Sequence, residues 1–209
     1  MYEDEIKTAL ALRLRERFKK GFIYPEKTFY QAGLGNSSRI DTFFINGTKF
    51  VGYEIKSEKD DPNRLKKQIP KYEKLFNKLI ILTEPCKLKK VKEIVPAYCG
   101  IIEVVKDHTG AFIFNRIQKS QDIGKQDPKL ILQVLHKKEI IDYFSGILDM
   151  TKSRMYGFSK RKLISLLAKE FTLLQLRVVI ANLLIKRLEE NKDFIKPILK
   201  INLRNQIEE

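Results

Sequence analysis

The chain has 209 residues, 43% of them hydrophobic and 32% charged, a balance that excludes a disordered chain and is enough for a real core. A formal net charge of +15 and a pI near 9.7 favour a polyanionic partner, nucleic acid before an anionic membrane, with a general lysine bias as the alternative. Cys86 and Cys99 stand without a C-x-x-C spacing or a His pair, which argues against zinc and disulfide frameworks.

The acidic start MYEDEIK lacks an apolar signal core, and no run of about 18 apolar residues occurs. The most apolar stretch, Leu173–Ile185, is interrupted by Gln175, Arg177 and Asn182 and reads as a buried helix. The expectation is a cytoplasmic protein without membrane contact.

Residues 2–20 predict a first helix, with Ile6, Leu10, Leu14 and Phe18 one turn apart and Gly21 as its C-cap. A short strand holding Glu26 follows. The polar, glycine-rich stretch QAGLGNSS (31–38) reads as a surface loop, or as a loop that approaches a nucleic-acid backbone closely. No Gly-Lys-Ser/Thr follows it, so it is not a P-loop.

The chemistry gathers between Arg39 and Tyr72. Two β-rich runs, Ile40–Ile45 and Phe50–Ile55, flank Asn46-Gly47, the strongest short-range hairpin signal. With Asn46 and Gly47 as the loop, Ile45 pairs with Thr48, and Asp41 lies opposite Gly52 with open space beside it. Alternation then puts Asp41, Gly52, Glu54 and Lys56 on one face, and Ile40, Thr42, Phe44, Val51, Tyr53 and Ile55 on the other. A one-residue slip would separate Asp41 from that face.

Two carboxylates at a sheet end can hold Mg²⁺ or Mn²⁺, with the Ile55 carbonyl as a further ligand. Lys56 beside them can orient a water or stabilise charge on a phosphate oxygen. An isolated E-x-K is more often an ion pair on a strand. The next helix opens with Asp61-Pro62, an N-cap followed by a proline pre-shaped for the first turn. Leu65, Ile69, Tyr72 and Phe76 form its buried stripe, Gln68 and Tyr72 share a face, and Pro70 between them predicts a kink or break.

Asp41, Glu54-Ile55-Lys56 and Gln68-x-x-x-Tyr72 together resemble the PD-(D/E)XK nuclease superfamily, and the Q-x-x-x-Y element resembles its RecB-type branch. EIKSEKD, RLKKQIPKY and VPAYCGIIEV are similar to a family of bacterial nuclease-like proteins within it, over roughly residues 1–105. No proline precedes Asp41, where Ile40 stands instead. The resemblance implies a restriction-endonuclease-like mixed sheet flanked by helices and Mg²⁺-dependent hydrolysis of DNA, with RNA as another substrate. Asp41, Glu54, Lys56, Gln68 and Tyr72 would be the catalytic set. It also implies a further acid on the first helix. Glu5 is the nearest match, Glu3 shares a face with Ile6 and Leu10, and Glu26 is an equal rival.

Beyond the motif helix, Leu79–Thr83, Gly100–Val105 and Ala111–Arg116 predict strands and Lys87–Val95 a helix, giving a mixed α/β domain over 1–120. His108 falls in a turn and reads as a surface residue. The polar stretch Lys119–Lys129 marks a boundary. An all-helical domain over 129–209 follows, with helices over 129–149, 159–170, 172–190 and 193–206 and a Thr172/Gln175 capping box. The Ser159–Lys186 helix pair resembles a helix-turn-helix only weakly, because its second helix is too apolar to read a groove.

Residues 151–162 set Lys152, Arg154, Lys160 and Arg161 around Tyr156 and Phe158, a pattern for phosphate contact with base stacking or for a basic linker. Arg39 is a further candidate for nucleic-acid contact. Two alternatives to a nuclease stay open. One is a catalytically inactive nucleic-acid-binding module. The other is a component that docks a protein partner, or a second copy of itself, through the C-terminal helices. DNA repair, mobile elements and phage defence are the expected settings.

Overall fold

The computed structural model describes residues 1–19, 21–30 and 37–190, and the side chains of 25–30 and 37–38 are not among them. The chain divides into two compact units, Met1–Val134 and a second beginning at Leu135.

The first unit is built on one six-stranded sheet in the order β1-β2-β3-β4-β5-β6. The strands are β1 (Phe22–Tyr30), β2 (Ser37–Asn46), β3 (Lys49–Lys56), β4 (Lys78–Thr83), β5 (Gly100–Lys106) and β6 (Phe112–Gln118). β1, β2 and β3 are antiparallel neighbours, β3, β4 and β5 run parallel, and β6 returns antiparallel. Parallel neighbours need crossover connections. Those are α2 (Leu65–Tyr72), entered through a 3-10 turn at Pro62–Arg64, and α3 (Pro85–Ile94). Helix-covered parallel strands are buried on both faces, and β3 accordingly is buried from Phe50 to Lys56.

Helix α1 (Glu3–Arg17) covers one face. Its Ile6, Leu10 and Leu14 pack into a core with Phe44, Val51, Tyr53, Ile55, Leu82 and Val104. This is the face expected for Phe44, Val51, Tyr53 and Ile55. The helix ends at Arg17 with Phe18 as its C-cap, so Gly21 lies beyond the cap. Across the sheet an aromatic cluster forms the second core. Phe43 stacks edge-on against Phe50 and Phe76 at 5.2 and 5.4 Å, and Tyr72 meets Phe76 at 6.0 Å.

The polar stretch expected to separate two domains belongs to this first unit. The Ile123 N–H donates to the Asn77 carbonyl at 2.7 Å and the Asp127 N–H to Lys74 at 2.8 Å, while the Ile123 side chain is buried. Backbone hydrogen bonds and one apolar anchor hold a segment whose composition reads as linker. It leads into α4 (Pro128–Leu132), capped by Asp127.

The second unit is helical: α5 (Lys137–Phe144), α6 (Lys152–Tyr156), α7 (Lys160–Glu170) and α8 (Leu173–Glu190). The single helix expected over 129–149 is thus two. His136 begins the second as an N-cap, its N–H donating to Glu139. Ile140, Ile141, Phe144, Met155, Leu163, Leu167, Leu176, Ile180 and Leu184 are buried. The Thr172/Gln175 capping box is present. Fold class matches expectation: a restriction-endonuclease-like mixed sheet flanked by helices, followed by a helical region. The helix expected over 193–206 and most of the loop over 31–38 lie outside the described residues.

Candidate active site

The hairpin turn corrects the expected register. Asn46 pairs with Lys49, so the loop is Gly47-Thr48 rather than Asn46-Gly47. Gly47 has φ of +58°, and glycine at the first loop position is what a type II′ turn requires. Moving the turn on by one residue shifts the pairing by two. Phe43, not Asp41, pairs with Gly52. Because side chains alternate with period two, that shift keeps Asp41 on the face of Glu54 and Lys56. Gly52 does not open space beside Asp41; a Cβ there would sit 2.7 Å from the Phe76 ring.

The β2–β3 pairing ends at Thr42 and Tyr53, and beyond it Asp41 and Glu54 are neighbours. The Asp41 carboxylate takes over where the ladder stops. Its Oδ2 accepts the Ile55 N–H at 2.7 Å. In an extended strand the N–H and C=O of one residue point to the same flank, so the Ile55 carbonyl faces that flank too.

Glu54 is the hub. Its Oε1 accepts from Lys56 Nζ at 2.6 Å and from Gln68 Nε2 at 2.6 Å. Gln68 reaches it because α2 continues through Pro70, whose exposed position leaves only an outward-facing carbonyl without its helical donor. One turn on, the Tyr72 hydroxyl donates to the Arg39 carbonyl at 2.6 Å and ties α2 to β2. Asp41 is 8% exposed, and Glu54 and Lys56 are each 2% exposed.

Burial sets the electrostatics. Loss of water raises the Asp41 pKa to about 7, and the charge of Glu54 adds to this; the Ile55 N–H opposes it. Burial also pushes Glu54 upward, against the pull of the Lys56 ammonium. Tyr72 is pushed well above the usual phenol range by burial and by the two carboxylates. The hydroxyl therefore stays a donor.

A divalent cation fits these residues. Glu54 Oε2 and Gln68 Oε1 are buried acceptors that no well-formed hydrogen bond reaches, although the Tyr72 hydroxyl, which donates to the Arg39 carbonyl, lies close enough to Glu54 to favour its charge; buried acceptors ordinarily have a donor. An orphaned carboxylate oxygen next to an aspartate whose ionised form is disfavoured is a set that positive charge completes. Among the described residues no group of three or more His, Cys, Asp or Glu side chains could hold a metal ion. Among the described side chains, Asp41 and Glu54 are the carboxylates on which a cation would rest, and Mg²⁺ uses one or two carboxylates when water and phosphate supply the other ligands.

The further acids sort themselves. Glu5 pairs with Lys106 at 3.0 Å and accepts its own helix's Tyr2 N–H. Glu3, which pairs with Lys7 at 2.6 Å, is felt by Asp41. Glu26 lies on β1, but its side chain is outside the described set. Glu84, which sequence reading did not single out, is buried at the start of α3. It accepts the Glu58 N–H and the amino group of Met1, both at 3.0 Å. Only its place after the β4 apolar run could have flagged it. His108 is exposed in its turn. Of the nucleic-acid candidates, Arg39 is exposed on β2, while Lys152, Arg154, Lys160 and Arg161 belong to the second unit.

Fold and site define a mixed α/β protein in which two adjacent strands carry a buried acid and lysine cluster where their ladder ends, joined by an amide from helix α2. A family model described as bacteriophage P4 protein cII matches residues 1–207. The chain belongs to this family. Protein cII of Enterobacteria phage P4 is 28% identical over 141 residues, which is 67% of this chain and 52% of that protein; the match thus spans about half of the relative's length. A solved structure, the SPO1766 protein of unknown function from Silicibacter pomeroyi, is similar with a TM-score of 0.42 at 16% identity, over 73% of this chain and 91% of that one. No helix among the described residues is long and apolar enough to cross a membrane.

Proposed function

We propose that this protein is a metal-dependent nuclease that hydrolyses phosphodiester bonds in DNA, of the PD-(D/E)XK type that its motifs resemble. The observation that supports it most is the convergence of Asp41, Glu54, Lys56 and Gln68 on one buried cluster with an orphaned Glu54 oxygen. Asp41 and Glu54 would hold Mg²⁺ or Mn²⁺. When bound, such a cation draws charge from phosphoryl oxygens and makes water a better nucleophile.

Lys56 holds its Nζ beside Glu54, where it can orient the attacking water or meet charge growing on a phosphate oxygen. Gln68 fixes the Glu54 carboxylate in one orientation, and Tyr72 steadies the strand that carries Asp41 by holding the Arg39 carbonyl. Arg39, exposed two residues before Asp41, would be the candidate for a phosphate contact. The near-exclusion of water strengthens each of these interactions. The test is incubation of a labelled oligonucleotide with Mg²⁺, with Mn²⁺ or with EDTA. Cleavage with either metal and none with EDTA is expected.

A second reading is a nucleic-acid-binding module without catalysis. The satisfied Lys56–Glu54–Gln68 contacts and their 2% exposure at Glu54 and Lys56 favour it, since a buried ion pair can be purely structural. Nucleic-acid binding that ignores divalent metal, with no cleavage, would favour that reading. Similarity to a phage protein suits a mobile-element or phage-defence setting.

A further inference from the structure

We infer that the second unit carries a surface of its own for single-stranded nucleic acid, centred on Tyr156 and bordered by Arg154, Arg161 and Lys162. The turn Gly157–Ser159 joins α6 to α7, so Tyr156 and Phe158 stand between the cations of the two helices. Tyr156 is 50% exposed, a large aromatic surface that folding does not bury. Lys137 adjoins it: its Nζ donates to the Tyr156 carbonyl at 2.8 Å and lies 5.9 Å from the ring centroid. The backbone that carries the ring is held while the ring stays half open, as a base-stacking platform needs.

The cations around it differ in availability. Lys152 is tied to Asp142 at 2.7 Å. Lys160 is half-buried, and desolvation lowers its pKa. Arg154 and Arg161 are exposed, with no acidic partner among the described residues. Lys162 is exposed and lies 3.9 Å from the Phe158 centroid.

Arg161 and Lys162 occupy the first turn of an eleven-residue helix that has no acid in that turn. The helix dipole disfavours cations there, so helix stability does not explain them. A negatively charged partner does. Exposed cations supply phosphate contacts without reading sequence, and the ring supplies stacking that tolerates any base. Basic charge alone would suit a duplex equally; the exposed ring is what favours unpaired bases.

This surface does not depend on the catalytic reading, and one experiment separates the two. Binding of a fluorescently labelled oligo-dT by the full chain is followed by anisotropy in EDTA over a series of salt concentrations, beside a blunt duplex of equal length. Tyr156→Ala should weaken oligo-dT binding roughly ten-fold, while Tyr156→Phe, which keeps the ring, should stay near wild type. Arg154→Ala with Arg161→Ala should flatten the slope of log K against log salt by about 1.4, two single-strand phosphate contacts. Unchanged affinity and slope in these variants would overturn the assignment, and duplex binding tighter than oligo-dT would overturn its single-strand form. Failure to cleave would leave it standing, and cleavage by a chain whose binding ignores these residues would sink it alone.

Discussion

The Ile55 N–H and the Asp41 carboxylate meet at 2.7 Å where the β2–β3 ladder ends. One side chain there replaces a backbone acceptor and is held within reach of Glu54. That contact makes the end of an interior strand pair into a candidate site. It also leaves Asp41 with a raised pKa, because a single N–H does not offset burial and the charge of Glu54.

The stability of the metal-free protein should therefore fall as pH rises. The folded pKa of Asp41, about 7, lies above its ordinary 3.8, so between those values the folded state holds a proton that the unfolded state has lost. Stability then drops with rising pH, at most roughly 1.4 kcal/mol per unit from this group, and levels off above about 7. Thermal unfolding in EDTA from pH 4.5 to 8 should show this decline. Asp41→Asn, which keeps an acceptor for Ile55, should flatten it and unfold at a higher temperature than wild type at pH 8.

Divalent cation should reverse the trend. A metal at Asp41 and Glu54 competes with protons, so its stabilising effect grows with pH. At a fixed millimolar Mn²⁺ concentration, the rise in unfolding temperature should be larger at pH 8 than at pH 5.5. In Asp41→Asn it should be absent at both. An equal rise at both pH values would place Mn²⁺ elsewhere.

Lys56 carries the largest structural penalty. Lys56→Met leaves Glu54 buried without its cation, which typically costs about 3–5 kcal/mol. The loss, measured by denaturant unfolding at pH 8 and at pH 5, should be smaller at the lower pH, because burial favours the protonated form of Glu54. Adding Glu54→Gln should restore most of the stability at pH 8. A Lys56→Met protein as stable as wild type at both pH values would mean that the pair contributes little.

Gly52 separates packing from chemistry. A Cβ would press to 2.7 Å from Phe76, so Gly52→Ala should cost about 1–3 kcal/mol by overpacking. Metal affinity measured by calorimetry should hardly change, because no ligand moves. A combined Phe76→Leu change should recover part of the loss.

Much of this fold was legible because periodicity is strong where burial is two-sided. Ile6, Leu10 and Leu14 announced α1, the runs around Leu79 and Gly100 announced the parallel strands, and Asp61-Pro62 announced the entry to α2. The shared face of Asp41, Glu54 and Lys56 was legible too, although the register behind it was misplaced by two residues. Asn-Gly signals a turn more surely than it says which two residues form the loop, and an even slip preserves the face. Pro70 does not break α2, because it lies on the exposed side of the helix, where a carbonyl without its donor can face water. The segment after Ser120 misled because backbone hydrogen bonds leave no trace in composition. Glu5 and Glu3 differ in the lysine that captures each carboxylate: Lys7 lies one helical turn from Glu3, whereas Lys106 reaches Glu5 only through the tertiary fold.

The most direct test of the central claim is a time course of phosphodiester cleavage by wild type beside Asp41→Asn, in Mn²⁺ and at equal protein concentration. Asp41→Asn is the informative variant because it should fold at least as stably as wild type, so a lost activity cannot be traced to unfolding. The account predicts cleavage by wild type that EDTA abolishes, and a loss of at least a hundred-fold in the variant, the scale of removing a group that stabilises transition-state charge. Cleavage that persists in Asp41→Asn, or clean wild-type protein that binds DNA and never cuts it, would contradict the catalytic reading and leave the binding module in its place.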